Sequence, residues 1–259
     1  MAKIIEGVCK LCGKYGKLTF EHVPPASAFN NTTVLEYPPE VTVEMLSGSN
    51  GRMPWDFSDF SGKVNQRGAG GYYLCNECNN NTGTWYISEY VKLANTFHEI
   101  IQTEDLKTGD RASFRLTGLY PQRVLKAIMT MYCDINNGCM GDDQLRDYLL
   151  NKTSTDFNSE KYKVYIYMLS PHMRRLSGIA AYFIEDVGLV MLSEIGTYPI
   201  GTILCVDKPA SYEPEGLLMN SFAEYAYDDK CDIDFIGIPY LEINTLYPAD
   251  FRNREVFLE

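Results

Sequence analysis

The sequence predicts an α+β protein with two domains, a smaller one over residues 1–105 and a larger one over residues 106–259. Two C-x-x-C pairs occur in the first part, which is otherwise rich in turn-forming residues. The second part holds two helical patterns followed by alternating and β-branched runs, which predict a mainly antiparallel sheet. The polar stretch TEDLKTGDRA at residues 103–112 separates the two patterns and marks the expected boundary.

The first domain is expected to contain little regular structure. LTF at residues 18–20 and YYL at residues 72–74 predict short strands. Residues 30–71 are rich in Gly, Ser and Asn, so the sequence predicts a long irregular loop there. After the second cysteine pair, apolar residues at helical spacing in TWYISEYVKLANTFHEII predict a helix.

The second domain begins with two predicted helices, over QRVLKAIMTMYCDI and over residues 142–150. The runs KYKVYIYML, SGIAAYFIE, GLVMLSEI and GTILCVD then predict antiparallel strands, while segments 216–227 and 239–247 are ambiguous. For the acidic cluster at residues 228–234 we expect a solvated loop in preference to a second metal site. The cluster contains Asp228, Asp229, Asp232 and Asp234.

The 259-residue chain is acidic, because 23 Lys and Arg stand against 34 Asp and Glu and give a net charge of −11. Residues 1–100 carry 8 basic and 10 acidic side chains, and residues 101–259 carry 15 and 24. Most nucleic-acid-binding proteins present a basic surface, so this balance counts against a stand-alone DNA-binding protein. No apolar run has the length of a signal peptide or a membrane span, and we expect a cytoplasmic protein.

The cysteine spacing predicts a structural zinc site. Zinc prefers four tetrahedral sulfur and nitrogen ligands, and two C-x-x-C pairs supply four thiolates. The pairs are 62 residues apart, which fits a treble-clef arrangement with one pair on a knuckle and the other at the start of a helix. In a reducing compartment such pairs bind metal more often than they form disulfides. The predicted ligands are Cys9, Cys12, Cys75 and Cys78.

The residues between and after the cysteine pairs restrict the classes of function that fit the chain. The pattern C-x-x-C, E-H-V-x-P and C-x-x-C-N, over about residues 7–95, resembles the HNH endonuclease family, whose active site is a treble-clef ββα-metal fold. Asn in place of the third signature His is similar to phage recombination endonucleases of the endonuclease VII type. The resemblance implies a metal-dependent endonuclease that hydrolyses phosphodiester bonds in nucleic acid, with DNA as the expected substrate.

The resemblance also implies roles for individual residues. His22 is the general base that deprotonates the attacking water, since a neutral imidazole can accept a proton near pH 7. Glu21 and Asn79 hold a catalytic Mg²⁺ or Mn²⁺, for which carboxylate and amide oxygens are suitable ligands. Asn65 is the candidate for the middle Asn of the motif, with a turn-forming loop Asn as the alternative. The cysteines are then structural only.

Other side chains have weaker functional interpretations. Trp85 and Tyr86 could stack on a base, although we favour core packing. His98 and His172 are interpreted as surface or packed residues and not as ligands. Five basic residues could contact phosphates, although a solvated surface residue is the simpler interpretation of each alone. They are Lys10, Lys14, Lys17, Lys63 and Arg67.

Two classes of function remain open. The first is the endonuclease, and the alternative is a non-catalytic zinc-binding module that recognises nucleic acid or protein. The net charge and the missing third histidine favour the alternative. The acidic second domain predicts a homo-oligomer or a protein partner that could regulate the first domain. Regulation of that kind would suit an effector of bacterial defence against phages or a phage-encoded nuclease.

Overall fold

The computed structural model describes residues 4–36, 60–66, 68–171 and 174–242. These residues form a mixed α+β fold with four α-helices and mainly antiparallel sheets, which confirms the α+β part of the prediction. Arg67 and His172 lie outside the described residues.

The cysteine-containing part forms a small antiparallel sheet followed by two helices. Its elements are β1 (Glu6–Val8), β2 (Tyr15–His22), β3 (Val34–Glu36), β4 (Lys63–Asn65), β5 (Gly70–Cys75), α1 (Asn76–Trp85) and α2 (Ile87–Thr103). The sheet has the order β1-β2-β5, and β3 pairs separately with β4. The two predicted strands lie within β2 and β5, whereas β3 and β4 occur in the range that was expected to be irregular.

The helical region begins earlier than the apolar pattern predicted. Helix α1 starts directly after Cys75, and its sequence NECNNNTGTW is too polar to show helical periodicity. Tyr86 separates α1 from α2, and its buried hydroxyl donates a hydrogen bond to the Leu149 carbonyl oxygen at 2.9 Å. Because α1 begins at Asn76, the second cysteine pair lies at the N-terminus of a helix.

The second part combines two helices with a seven-stranded sheet. Its elements are β6 (Arg111–Leu119), α3 (Pro121–Ile135), α4 (Asp143–Leu150), β7 (Tyr162–Leu169), β8 (Arg175–Ile184), β9 (Gly188–Thr197), β10 (Ile200–Val206), β11 (Leu217–Leu218) and β12 (Cys231–Leu241), with a 3₁₀ helix at Asn220–Glu224. The strand order is β6-β12-β7-β10-β9-β8, with β11 beside β7, and only the β12–β7 pair is parallel among the described strands. Both predicted helices and all four predicted strands are present.

The acidic cluster at residues 228–234 is not wholly the solvated loop that we expected. Asp232 and Asp234 are exposed positions of β12, whereas Phe235 on the other face of the strand is buried. Asp234 accepts two hydrogen bonds of 2.6 Å from Arg115 on the neighbouring strand β6. CDIDF alternates apolar and acidic residues, which is the usual signal of a half-buried strand, and our interpretation as a loop was wrong for this segment.

One hydrophobic core extends through both parts of the chain, and α3 lies at its centre. Thirteen of the 15 residues of α3 are buried, as expected for a helix that protein surrounds on all sides. Leu11 and Leu74 of the first part belong to the same core cluster as Ile166 and Met168 of β7. Because α3 contacts α1, α2 and β5, it can bring side chains of the second part to the cysteine-containing part.

Candidate functional site

The structure brings the four predicted zinc ligands together. The sulfur atoms of Cys9, Cys12, Cys75 and Cys78 all lie within 4.8 Å of one another, and those of Cys12 and Cys75 are 3.9 Å apart. Sulfurs around a tetrahedral zinc with bonds near 2.3 Å are separated by about 3.8 Å. The cluster could therefore hold a metal ion, and the donor set suits zinc.

Local backbone structure explains how the first pair reaches the cluster. The nitrogen of Cys9 donates to the Lys14 carbonyl oxygen, and the nitrogen of Gly13 donates to the Cys9 carbonyl oxygen, both at 2.9 Å. Gly13 has φ of +74°, a conformation that favours glycine. The nitrogen of Lys10 donates to the Tyr73 carbonyl oxygen at 2.9 Å and so attaches this tight turn to β5.

The second pair lies where β5 ends and α1 begins. Cys75 is the last residue of β5, and Cys78 lies in the first turn of α1. The positive end of a helix dipole stabilises thiolates. The hydrogen bond shared by Cys9 and Cys78 lowers the pKa of the Cys9 thiol and raises that of Cys78, so Cys9 is the one of the two that ionises first. The thiolate is the form that binds metal.

A separate pocket of about 280 Å³ lies beside the cysteine cluster and is lined by Glu21, His22 and Asn79. Glu21 and His22 end β2, where they pair with Gly71 and Gly70 of β5. A Cβ atom at Gly70 would lie only 2.1 Å from the Glu21 carbonyl oxygen, so this close pairing requires glycine. The β2–β5 pair and the first turn of α1 thus place three predicted site residues around one space.

Asn79 is held in a fixed orientation by its neighbours. Its Nδ2 donates a hydrogen bond of 3.0 Å to Thr19 Oγ1, and that hydroxyl donates one of 2.9 Å to the Leu74 carbonyl oxygen. This arrangement uses the amino group of the Asn79 amide and leaves its Oδ1 available as a ligand.

Glu21 and His22 differ in their surroundings. Glu21 Oε1 is buried and has no hydrogen-bond partner among the described residues. Burial raises the pKa of the Glu21 carboxyl to about 7. The half-buried His22 ring packs edge-on against Phe20, with the ring centroids 5.1 Å apart. Both residues line the pocket, and a buried carboxyl with a raised pKa in a pocket is a candidate functional group.

Asp134, which the sequence did not identify as a site residue, lines the same pocket. It lies in the last turn of α3 and is 4% exposed, and its Oδ1 has no hydrogen-bond partner among the described residues. Burial raises the pKa of the Asp134 carboxyl well above its usual range, and the charge of Glu21 raises it further. The sequence signal that could have identified Asp134 is an acidic residue within the mainly apolar run AIMTMYCDI.

The other candidate residues lie elsewhere. Asn65 is in β4 opposite Val34 and does not line the pocket. Lys14, Lys17 and Lys63 are exposed, and Lys10 is half-buried. The buried Tyr86 agrees with the core interpretation, and half-buried Trp85 packs against the core. His98 Nδ1 lies 2.7 Å from the Tyr198 hydroxyl, away from the pocket lining.

Comparisons with protein families, curated proteins and solved structures find no match to this chain. Within the part of the chain that the structure describes, no helix is both long and apolar enough to span a membrane. The interpretation of the site therefore depends on its own residues.

Proposed function

We propose that the protein is a metal-dependent endonuclease that hydrolyses phosphodiester bonds in nucleic acid, with DNA as the expected substrate. The observation that carries this proposal is the single pocket lined by Glu21, His22 and Asn79 beside the four-cysteine cluster. A carboxylate, an amide oxygen and an imidazole can together bind a cation and remove a proton, which are the two requirements of this hydrolysis.

Each group has a defined role in the proposed reaction. His22 removes a proton from a water molecule, and the water oxygen bonds to phosphorus as the bond from phosphorus to the leaving oxygen breaks. Glu21 and Asn79 hold Mg²⁺ or Mn²⁺, which when bound neutralises charge on the phosphate and on the leaving oxygen. The four cysteines and their zinc hold the β1–β2 turn, β5 and α1 together and take no part in the reaction.

Nucleic-acid binding needs positive charge, and the exposed Lys14, Lys17 and Lys63 are its proposed source within the described residues. Arg67 remains a further candidate from the sequence. Because the whole chain carries a net charge of −11, we also propose that a second copy or a protein partner contributes to binding or regulates it. Action in bacterial defence against phages, or as a phage nuclease, is part of this proposal.

The test is cleavage of supercoiled plasmid DNA with added Mg²⁺ or Mn²⁺. His22→Ala should reduce the rate by about 100-fold or more, because general base catalysis contributes on that scale. His98→Ala makes the same change outside the pocket and should leave the rate near that of the wild type. Cleavage by His22→Ala at the wild-type rate would sink the proposal.

The net charge favours a second candidate function, a zinc-binding module that recognises nucleic acid or protein without catalysis. Purified protein with bound zinc that cuts neither DNA nor RNA, with any divalent cation, would support this candidate. Cleavage that depends on both His22 and a divalent cation would exclude it.

A further inference from the structure

Asp134 is a buried acid that the described structure leaves without a partner. It is 4% exposed, and its Oδ1 accepts no hydrogen bond from the described residues. Two other buried acids differ: Glu194 pairs with Arg175 at 3.1 Å, and Glu89 accepts a hydrogen bond from the Tyr120 backbone nitrogen at 3.3 Å. An unpaired buried carboxylate strongly destabilises a fold unless a positive charge meets it.

The pocket in front of Asp134 contains little positive charge of its own. None of its 13 described lining residues is Lys or Arg, and His22 is the one side chain among them that can become cationic. The hydroxyls of Thr82 and Thr130 donate to carbonyl oxygens one helical turn earlier and so do not serve the carboxylates. Glu21 contributes a second buried oxygen, its Oε1, which has no hydrogen-bond partner among the described residues. Two such carboxylates at one pocket favour the binding of a cation, because a cation stabilises their ionised forms.

We propose that Asp134 is a third protein ligand of the divalent cation assigned to Glu21 and Asn79, an inference that rests on the proposed function. Two carboxylates and one amide oxygen form an all-oxygen donor set, which suits Mg²⁺ or Mn²⁺. A single cation neutralises both carboxylates. Mg²⁺ usually keeps several waters, so the remaining coordination positions serve water and a phosphate oxygen.

The assignment defines a role for the second half of the chain. Glu21 and Asn79 come from β2 and α1, whereas Asp134 comes from α3. A site divided in this way forms only where the two parts share their core, as they do through α3. The cation site is thus completed by a part of the chain that carries no motif of the HNH family.

The test is Mn²⁺ binding to the zinc-loaded full-length protein, with free Mn²⁺ measured by electron paramagnetic resonance. The wild type is expected to bind one Mn²⁺ per chain, and Asp134→Asn at least about 10-fold more weakly. Asp147→Asn makes the same change at an exposed position of α4 and should bind within about twofold of the wild type. His22→Ala should retain binding, because His22 is assigned as a base. Equal affinity of Asp134→Asn and wild type, or no Mn²⁺ binding by the wild type, would overturn the assignment.

Thermal unfolding distinguishes a variant that lacks a metal-ligating side chain from a variant that does not fold. Without Mn²⁺, Asp134→Asn should melt at or above the wild-type temperature, because an amide replaces an unpaired buried carboxyl. The same Mn²⁺ concentration should raise the melting temperature of the wild type and of Asp147→Asn clearly more than that of Asp134→Asn, because weaker binding stabilises the folded state less. An equal rise in Asp134→Asn would contradict the proposal.

Plasmid cleavage by the same proteins keeps this inference separate from the proposed function. Mn²⁺ binding that depends on Asp134, in a protein that cuts no nucleic acid, supports the ligand and rejects the nuclease. Cleavage that depends on His22, in a protein whose Mn²⁺ binding is unchanged by Asp134→Asn, supports the nuclease and rejects the ligand.

Discussion

Glu21 and Asp134 line the same pocket from opposite halves of the chain, and each has a buried carboxylate oxygen without a hydrogen-bond partner among the described residues. Burial raises the pKa of both carboxyls, and the charge of Glu21 raises the pKa of Asp134 further. Both groups are therefore expected to hold protons more tightly than ordinary acids until a cation binds. This relationship makes the stability and the metal binding of the protein depend on pH.

Glu21→Gln should change the pH dependence of stability. The pKa of Glu21 rises from 4.5 to about 7 on folding. Between these values the folded protein keeps a proton that the unfolded chain has released, so the free energy of unfolding falls as the pH rises through this window. The fall amounts to at most about 3 kcal/mol, and Glu21→Gln should remove it.

Urea unfolding at pH 4.5, 6 and 8, without added divalent cation, measures this difference. Glu99→Gln, at an exposed position of α2, is the matched control and should follow the wild type. Parallel pH profiles of Glu21→Gln and wild type would show that Glu21 is not desolvated in the folded protein.

The cysteine cluster predicts about one zinc ion per chain. Cys75→Ser removes one thiolate and should lower the zinc content well below that of the wild type. Zinc binding contributes on the order of 10 kcal/mol to small zinc-dependent folds, so the loss should also destabilise the β2–β5 region severely. Elemental analysis after gel filtration gives the zinc content, and thermal unfolding gives the stability.

Cys231→Ser provides the control for that experiment, because Cys231 lies in β12 outside the cluster. It should keep the zinc content of the wild type. A Cys75→Ser protein with an unchanged zinc content would mean that the four sulfurs do not form a zinc site.

Thr19→Val should weaken cation binding through Asn79. The hydroxyl of Thr19 accepts the hydrogen bond that orients the Asn79 amide, and valine keeps the shape of threonine without that hydroxyl. Loss of a residue that orients a metal ligand typically costs about 10- to 100-fold in affinity. Mn²⁺ titration should show a loss of at least about 10-fold for Thr19→Val and little change for Thr19→Ser. Equal affinities for the two variants would mean that this hydrogen bond does not orient the ligand.

The local part of the site was predictable because short sequence spacing determines it. The cysteine pairs, Glu21 with His22, and Asn79 directly after Cys78 are neighbours in the chain, so their residue types and spacing identify them. The structure brings these residues to one cluster and one pocket. Asn65 lies in β4 and does not line the pocket. Its role as the middle Asn of the motif therefore stays a prediction that rests on the resemblance alone.

The surroundings of Asp134 and the pairing of strand β12 could not be predicted in the same way. Helical periodicity identifies α3, but it does not say which other element a given side chain will face. That depends on how α3 packs against α1 and β5, which is a long-range property of the fold. In β12 the residues CDIDF show the alternation of a half-buried strand, but they do not show that it pairs with β6, where Arg115, the partner of Asp234, lies more than 100 residues away.

Lys126 is another residue of α3 whose surroundings depend on long-range packing. Its side chain is fully buried on α3, and its Nζ donates to the carbonyl oxygens of Tyr148, Asn151 and Lys152 at 2.8, 2.8 and 3.1 Å. Helix ends leave their last carbonyl groups unpaired, and Lys126 supplies donors at the end of α4, where the Asn151 carbonyl oxygen also accepts from the Ser154 nitrogen at 3.1 Å. Lys126→Met fills a similar volume but donates no hydrogen bond. We expect a loss of about 2 kcal/mol in the free energy of unfolding, since unsatisfied carbonyls cost more than removal of the buried amine returns.

Urea unfolding measures this loss, with Lys152→Met as the matched control at an exposed position. The control should unfold within about 0.5 kcal/mol of the wild type, as surface substitutions usually do. Burial lowers the pKa of the Lys126 ammonium to about 7, whereas the unfolded chain keeps that proton up to about pH 10.5. The wild type should therefore gain stability from pH 7 to pH 9 relative to Lys126→Met. A Lys126→Met protein as stable as the wild type at pH 7 would show that water, and not Lys126, satisfies the end of α4.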